Sequence, residues 1–349
     1  MSAQPFTEET GHSAADAGAG SMSLCVMASG SSGNSSVVVF DHAGFRRACL
    51  IDLGVSPKRT WRLLAELGIE PHQVDDAIIT HLDSDHFHPG WLAGGTNRRG
   101  AMPAHVRVRL HAGHARRLAR DRAVFPAARV MPFDREFVLQ SGARVRPQLL
   151  SHDAEGVTAM RIDAPAALGA GSLGFATDLG RVTPALVDLF RAAPDAVDVL
   201  AIESNYCPRL QAESGRPVFL IHRITGGHGH LSNQEAIDAI RAIEPREHVV
   251  LLHLSRECNR VPLVATMHEG ADYHLTIAAH ELPTRWIPVR GPRERLDRAA
   301  ERPREVLVDM TILDQAARSA PARSSATAAR SALPISASLF DQGAEPAPR

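Results

Sequence analysis

The stretch His81-Leu82-Asp83-Ser84-Asp85-His86 packs two imidazoles and two carboxylates into six consecutive positions, directly after Ala77-Ile78-Ile79-Thr80. An apolar run of this kind predicts a strand, and the end of a strand fixes the backbone. The turn that follows can then splay alternate side chains toward one point. Imidazole nitrogens and carboxylate oxygens are the donors that suit Zn2+, Mn2+ or Fe2+. Taken alone, the hexapeptide favours the ligand reading but is also compatible with a polar turn carrying solvated acids. The remainder of the chain weighs against that. His152 follows Gln148-Leu149-Leu150-Ser151, Asp178 follows Gly174-Phe175-Ala176-Thr177, and His253 follows Val249-Val250-Leu251-Leu252. One histidine at a strand end is more often a packed residue than a ligand. Four strand ends of the same chemical type predict donors that converge on one edge of a sheet.

Short β-type runs also occur at Leu24-Cys25-Val26-Met27, Val37–Phe40 and Ala48–Ile51, separated by Gly, Ser and Asn as in an antiparallel meander. Further apolar runs lie at Val106–Leu110, Leu173–Ala176, Val197–Ile202 and Val249–Leu254. Helical spacing appears over Thr60–Leu67, with Gly68 placed to stop it, and over Thr183–Arg191 and Asn233–Ile243. Strands interleaved with helices predict an α/β arrangement of sheets covered by helices. Residues 1–21 are small and polar and read as a disordered lead-in. The chain from 289 to 349 is dominated by Arg, Ala, Pro and Ser and reads as a mostly disordered tail, apart from apolar periodicity at Glu305–Leu313. One catalytic domain is expected over 22–288.

Composition narrows the function classes. A net charge of −1 means that any nucleic-acid site is local rather than global. The 18 histidines fall in clusters, which invites a metal reading. Cys25, Cys49, Cys207 and Cys258 are scattered, with no CxxC pair, so neither a zinc ribbon nor a disulfide framework is supported. Reduced thiols in a cytoplasmic protein are expected. No apolar run is long enough to span a membrane, and the first 20 residues lack the basic and apolar regions of a signal peptide.

In order along the chain, Asp52 in Ile51-Asp52-Leu53-Gly54, the His81–His86 block, His152, Asp178 and His253 resemble the five motifs of the metallo-β-lactamase fold. Ala28-Ser29-Gly30-Ser31-Ser32-Gly33-Asn34, Ser151-His152-Asp153-Ala154 and Thr177-Asp178-Leu179-Gly180 bring the chain closer to the YycJ/WalJ exonuclease group of that superfamily. So do Glu203-Ser204-Asn205, Gly229-His230-Leu231-Ser232-Asn233 and His253-Leu254-Ser255-Arg256-Glu257-Cys258-Asn259. The resemblance implies a four-layer αββα fold and a dinuclear metal site that hydrolyses phosphodiesters, as in a DNA exonuclease. Carried over by position, His81, Asp83 and His152 would hold one metal, and Asp85, His86 and His253 the other. Asp178 would bridge them, and Asp52 would orient ligands by hydrogen bonding. Two features depart from the group. Asp83 stands where a histidine is usual, which hardens the site toward Mn2+ or Fe2+ and away from Zn2+. A similar His-x-Asp-x-Asp-His pattern is found in the ComEC-type DNA-uptake proteins. The run His86-Phe87-His88-Pro89-Gly90 is one residue longer than usual to its glycine.

The implied chemistry is attack on phosphorus by a hydroxide activated between two metals, with Asp85 in the reacting centre and His230 giving the leaving group its proton. His230 reads equally as a packing residue ahead of a helix capped by Ser232 or Asn233. Ser31, Asn34 and Asn205 are candidate substrate contacts. The Ser29–Ser35 segment is either a phosphate cradle of backbone N–H groups or a tight hairpin, the hairpin being the more economical reading. Arg98, Arg99, Arg107, Arg109, Arg116, Arg117, Arg120 and Arg122 crowd the chain after the metal loop, with Arg116 and Arg117 as the foremost phosphate contacts. A solvated helix face explains them equally well. His88, His105, His111, His114, His222 and His228 read as surface or packing residues. In the tail, Ser336-Ala337-Ser338-Leu339-Phe340 loosely resembles a sliding-clamp docking peptide without its leading Gln-Leu. The same fold also serves small-molecule hydrolases, such as cyclic phosphodiesterases, lactonases or thioesterases, and could serve as a non-catalytic scaffold. If the arginine-rich stretch binds nucleic acid, affinity falls steeply with rising salt; a flat response in a binding titration removes it from the substrate site.

Overall fold

The computed structural model describes residues 20–92, 102–121, 130–192 and 196–291. Arg98, Arg99, Arg122, the Glu305–Leu313 periodicity and Ser336–Phe340 lie outside the described residues. Six strands open the described chain: β1 (Ser21–Ala28), β2 (Ser35–His42), β3 (Phe45–Ile51), β4 (Val74–Ile79), β5 (Arg107–His111) and β6 (Val130–Phe133). Seven more follow: β7 (Phe137–Val138), β8 (Arg144–Leu150), β9 (Val157–Asp163), β10 (Ser172–Ala176), β11 (Val199–Glu203), β12 (His248–Leu252) and β13 (His274–Ile277). The last, β14 (Ile287–Val289), returns to pair antiparallel with β1. The domain limits expected at 22 and 288 therefore cut through β1 and β14.

The strands form two seven-stranded sheets, β14-β1-β2-β3-β4-β5-β6 and β13-β12-β11-β10-β9-β8-β7. The expected meander holds for β1 to β3, which pair antiparallel. From β3 to β6 the pairing is parallel, as it is from β10 to β13. Strands β4, β10, β11 and β12 are buried along their whole length. That is why they read as continuous apolar runs rather than as alternating patterns.

Three apolar clusters separate four layers. Leu24, Val38 and Ile51 of the first sheet meet Met160, Phe175 and Val250 of the second in the central one. On the outer face of the first sheet lie α1 (Pro57–Glu66) and α2 (Ala112–Arg120), through Leu63, Leu64 and Leu118. On the outer face of the second lie α3 (Pro184–Phe190), α6 (Asn233–Ile243) and α7 (Val261–Met267), through Phe190, Ile240 and Val264. This is the αββα sandwich. Two short helices, α4 (Pro208–Ala212) and α5 (Val218–Thr225), lie between β11 and α6. No helix among the described residues is long and apolar enough to cross a membrane.

Strand direction decides where the chemistry can be. Strands β3 and β4 run parallel to each other. In the other sheet β8 and β10 are each antiparallel to β9, so β8 runs with β10, β11 and β12. The carboxyl ends of these strands deliver Asp52, His81, His152, Asp178, Glu203 and His253 to the rim of the sandwich. A crevice at the carboxyl ends of parallel strands is the usual place for a ligand in such sheets. The turn to the site is taken in left-handed backbone: Asp52, Asp178 and His253 have φ of 63°, 51° and 56°. A non-glycine residue held there costs on the order of 1–3 kcal/mol and persists only where the surroundings enforce it.

The loop that carries Asp83, Asp85 and His86 is stitched to its neighbours through the backbone. Leu53 N–H donates to the His86 carbonyl at 2.8 Å, and Asn34 N–H to the Asp85 carbonyl at 2.7 Å. The additional residue before glycine is accommodated by a single 3-10 turn, Pro89–Trp91, whose start His88 caps by accepting from Gly90 N–H at 2.9 Å. Gly54 permits the close approach: a Cβ there would stand 1.7 Å from the Asp85 carbonyl oxygen. Gly54→Ala is therefore expected to cost about 1–3 kcal/mol of stability, read as a lower denaturation midpoint, with reduced metal content. Unchanged stability and unchanged metal content would show that the loop can move away at no cost.

Candidate metal centre

The imidazoles of His81, His86 and His152 are each held by one nitrogen, so that the other faces inward. His86 Nδ1 lies 2.7 Å from Asp52 Oδ2, and Asp52 Oδ1 accepts from Thr80 N–H at 2.8 Å and from Thr80 Oγ1 at 2.9 Å. His81 Nδ1 is 3.0 Å from the same Thr80 hydroxyl, and His152 Nδ1 is 3.1 Å from the Gly229 carbonyl. His253 is anchored by its backbone N–H, which donates to Ser29 Oγ at 2.8 Å, and by Asn205 Nδ2, which donates to the His253 carbonyl at 2.8 Å. Fixing one ring nitrogen in this way selects the tautomer that offers the other as a ligand.

The inward atoms gather into two sets. His81, Asp83 and His152 form one, with Asp83 Oδ2 3.9 Å from Nε2 of both histidines. Asp85, His86 and His253 form the other, with His253 Nε2 3.3 Å and His86 Nε2 3.7 Å from Asp85 Oδ2. Asp178 stands between them: Oδ2 is 3.7 Å from His81 Nε2 and also abuts His86 Nε2, while Oδ1 is 3.0 Å from His253 Nδ1. All these residues are buried except Asp83 and Asp85, which are partly exposed.

Asp178 provides the test of fit for metal ions. Its side chain is 2% exposed, yet neither carboxylate oxygen accepts a well-directed hydrogen bond. A buried ionised carboxylate without such bonds is costly unless a cation lies beside it. Burial pushes this carboxyl up, but the imidazoles of His253 and His86 outweigh burial and hold it well below the usual carboxylate range. The imidazoles respond in turn. Burial draws His86 down, but Asp178 and Asp52 raise it to about 10, and His253 is likewise raised by Asp178 against burial. His81, where burial and the neighbouring His86 dominate, is pushed well below its ordinary value. Carboxylates and imidazoles crowded to this degree call for positive charge. The donor set, nitrogen and oxygen with no thiolate, fits divalent metal ions.

Glu203 was not singled out as a site residue, although it ends the run Val199-Leu200-Ala201-Ile202 just as the other site residues end theirs. It is fully buried, with Oε1 2.6 Å from His230 Nδ1 and 3.4 Å from His253 Nδ1. Glu203 and His230 stand at hydrogen-bonding distance, and we read them as a hydrogen-bonded pair. Burial opposes charge on His230, but Glu203 and Asp178 raise it to about 9. His230 sits just ahead of the α6 capping box, in which Ser232 Oγ accepts from Glu235 N–H and Glu235 accepts from Ser232 N–H. The cap sets the backbone, and Glu203 sets the ring.

Above the cluster opens a cavity of about 490 Å³, lined in part by Ser31, Asn205, His230, Arg216 and Arg223. The structure brings Ser31 and Asn205 to it. Asn34 is turned elsewhere: it is buried, its Oδ1 accepts from Gly30 N–H, and its Nδ2 reaches Asp85 and His86. The Ser29–Ser35 segment is a hairpin, with Gly33 N–H bonded to Gly30 O. The N–H groups of Ser29, Gly30, Gly33 and Asn34 are all spent on protein acceptors, which removes them from a phosphate cradle.

The arginine-rich stretch divides. Arg109 is buried against Asp76, at 2.7 Å, and over the Phe137 ring, and so belongs to the core. Arg117 pairs with Glu155 at 3.1 Å, and Arg116 is exposed; neither lines the cavity. The cationic cavity wall comes instead from Arg216 and Arg223, about a hundred residues later, which no local pattern announces.

With that geometry in place, comparison with known proteins gives a consistent answer. Residues 47–254 match the family model described as Beta-lactamase superfamily domain, more than half of the chain. The chain belongs to the beta-lactamase superfamily. Among curated proteins of that superfamily it is similar to the exodeoxyribonuclease WalJ of Streptococcus pneumoniae, with 28% identity over 242 residues covering 67% of this chain and 82% of the relative. In fold it is similar to the metallo-beta-lactamase fold protein YhfI from Bacillus subtilis, with a TM-score of 0.52 and 15% identity over 76% of this chain and 99% of the other. It is similar also to yeast PDE1, with a TM-score of 0.51 and 11% identity over 75% of this chain and 99% of the other. Superfamily membership agrees with the layer order and with the placement of all five motifs on one rim.

A proton balance follows from the raised imidazoles. Metal uptake by metal-free protein at pH 7 should displace a proton from His86, so the heat of binding should vary with the ionisation enthalpy of the buffer, and affinity should fall as pH falls. A heat independent of buffer would show that His86 is already neutral.

Proposed function

We propose that the protein is a metal-dependent phosphodiesterase that degrades DNA from an end. The observation that carries the reading is the pair of three-donor sets flanking the buried carboxylate of Asp178, at the floor of a cavity whose wall holds two arginines. The likeness to WalJ, a protein named as an exodeoxyribonuclease, supports the choice of DNA. Two divalent ions are proposed, Mn2+ or Zn2+ with Fe2+ as a further candidate, held by His81, Asp83 and His152 and by Asp85, His86 and His253, with Asp178 shared. The carboxylate at Asp83 favours the harder ions. When bound, such cations supply Lewis acidity toward a phosphoryl oxygen and toward water.

The chain's own residues account for the rest. Asp52 fixes the His86 ring, and Gly229 O fixes the His152 ring, so the donors are preorganised before substrate arrives. His230 holds a proton beside the cavity, with Nδ1 committed to Glu203 and Nε2 left as the nitrogen that can pass a proton to a departing alkoxide. Glu203 itself is fully buried and acts through that ring. Arg216 and Arg223 place guanidinium groups where a phosphate chain would enter. A cytoplasmic location fits the proposed substrate.

Hydrolysis of bis(p-nitrophenyl) phosphate and of labelled single- and double-stranded DNA by Mn2+- or Zn2+-loaded protein tests the reading. An Asp85→Ala, His86→Ala double variant serves as the control. Metal-dependent cleavage of both substrate types, lost in the control, is expected. Cleavage of the small diester without DNA cleavage would favour a small-molecule hydrolase of the same fold. His230→Ala is expected to lower turnover by about 10²- to 10⁴-fold with metal content unchanged, since it removes a proton donor and not a ligand. Loss of metal in that variant would overturn its role.

A further inference from the structure

Helix α5 is anomalous. It reads Val218-Phe219-Leu220-Ile221-His222-Arg223-Ile224-Thr225, and none of its residues is buried. Phe219 is 74% exposed and Val218 70%. The other helices of the sandwich turn their apolar side chains onto a sheet, but α5 leaves them at the surface. A short apolar helix kept out of the core is normally a contact surface.

Its position says which contact. Leu220 and Ile224, one turn apart, line the same cavity as His81, Asp83, His152 and His230. Arg216, just before the helix, and Arg223, within it, line that cavity too. On the helix Phe219 falls four positions before the cavity-lining Arg223, so the two lie on one face. Both arginines are held by exchangeable partners. Arg216 pairs with Glu257 at 2.7 Å, and that glutamate is 70% exposed. Arg223, itself 63% exposed, pairs with Asp153. Ion pairs at the surface add little stability, so a phosphate can displace the carboxylates at small cost. An aromatic ring and aliphatic side chains flanked by two guanidinium groups match a strand that alternates flat bases with phosphates. Paired bases hide their faces in the stack, whereas a single-stranded end exposes them.

We propose that α5 is the grip for a single-stranded nucleic-acid end: Phe219 stacks on a base, Leu220 and Ile224 support the nucleotide entering the cavity, and Arg216 and Arg223 bind the adjoining phosphates. This rests on the nucleic-acid reading above and makes it specific for unpaired ends. A second copy of the chain seated on α5 is the rival occupant, but it would cover the wall by which substrate enters the cavity.

The test is the binding of a short fluorescein-labelled single-stranded oligodeoxynucleotide to the full chain without added metal, followed by anisotropy, with the mass of each protein determined in parallel. Phe219→Ala is expected to weaken binding about tenfold or more, and Phe219→Trp to restore it, because any flat ring can stack. Arg216→Ala with Arg223→Ala should also reduce the salt dependence of affinity. A double-stranded blunt duplex should bind more weakly than the single strand. Equal affinities of wild type and Phe219→Ala would overturn the proposal, as would a wild-type dimer that Phe219→Ala converts to monomer. Wild-type protein that hydrolyses bis(p-nitrophenyl) phosphate yet neither binds nor cuts DNA would instead refute the nucleic-acid reading, a result distinct from either.

Discussion

A carboxylate removed from water has to be balanced by positive charge, and the rim of this sandwich is built around one such carboxylate, that of Asp178, which is ringed by imidazoles. The imidazoles of His81, His86, His230 and His253 all lie within 4 Å of it. Its backbone is held in the left-handed region, so the position is enforced by the surrounding fold rather than by local preference. Without a cation the imidazoles themselves must carry the balancing charge, which is why His86 and His253 are drawn upward against their burial. Metal ions at the two donor sets would satisfy the same demand and release those protons.

That demand shapes the structure around it. Asp52, Thr80, Ser29, Asn205 and Gly229 fix the rings and backbones that surround Asp178. A further buried network braces the second sheet's side of the rim. Asn259 Nδ2 donates to the carbonyls of Ser204 and Asn205 and to Asn233 Oδ1, tying the loop after β11 to the loop after β12 and the start of α6. Polar networks of this kind rigidify when every member is satisfied. Their effect here is to keep a costly charge arrangement in one geometry, the preorganisation that catalysis by electrostatics requires.

The division between rigid floor and exposed wall is equally physical. His81, Asp178 and His253 follow fully buried strands, whereas α5 has no buried residue. A site so divided suits a constant chemical step joined to a substrate whose length and sequence vary. The floor must not move; the wall can adjust to whichever base arrives.

The sequence by itself determined the α/β class and most of the cluster, and the resemblance of its motifs to the metallo-β-lactamase fold implied the αββα layers. Apolar runs marked the strands, and His or Asp residues followed those runs at His81, His152, Asp178 and His253. Both signals are local in the chain. Tertiary structure alone decided the rest. It turned Asn34 inward to the metal loop, spent the N–H groups of Ser29, Gly30, Gly33 and Asn34 on protein acceptors, and buried Arg109 against Asp76. It also set Glu203 behind His230 and brought Arg216 and Arg223 to the cavity, which Arg116 and Arg117 do not line. An arginine run reads the same in sequence whether its guanidinium groups face solvent, a buried aspartate or a substrate. The choice is made by how strands far apart in the chain come to share one edge, and local composition carries no record of that.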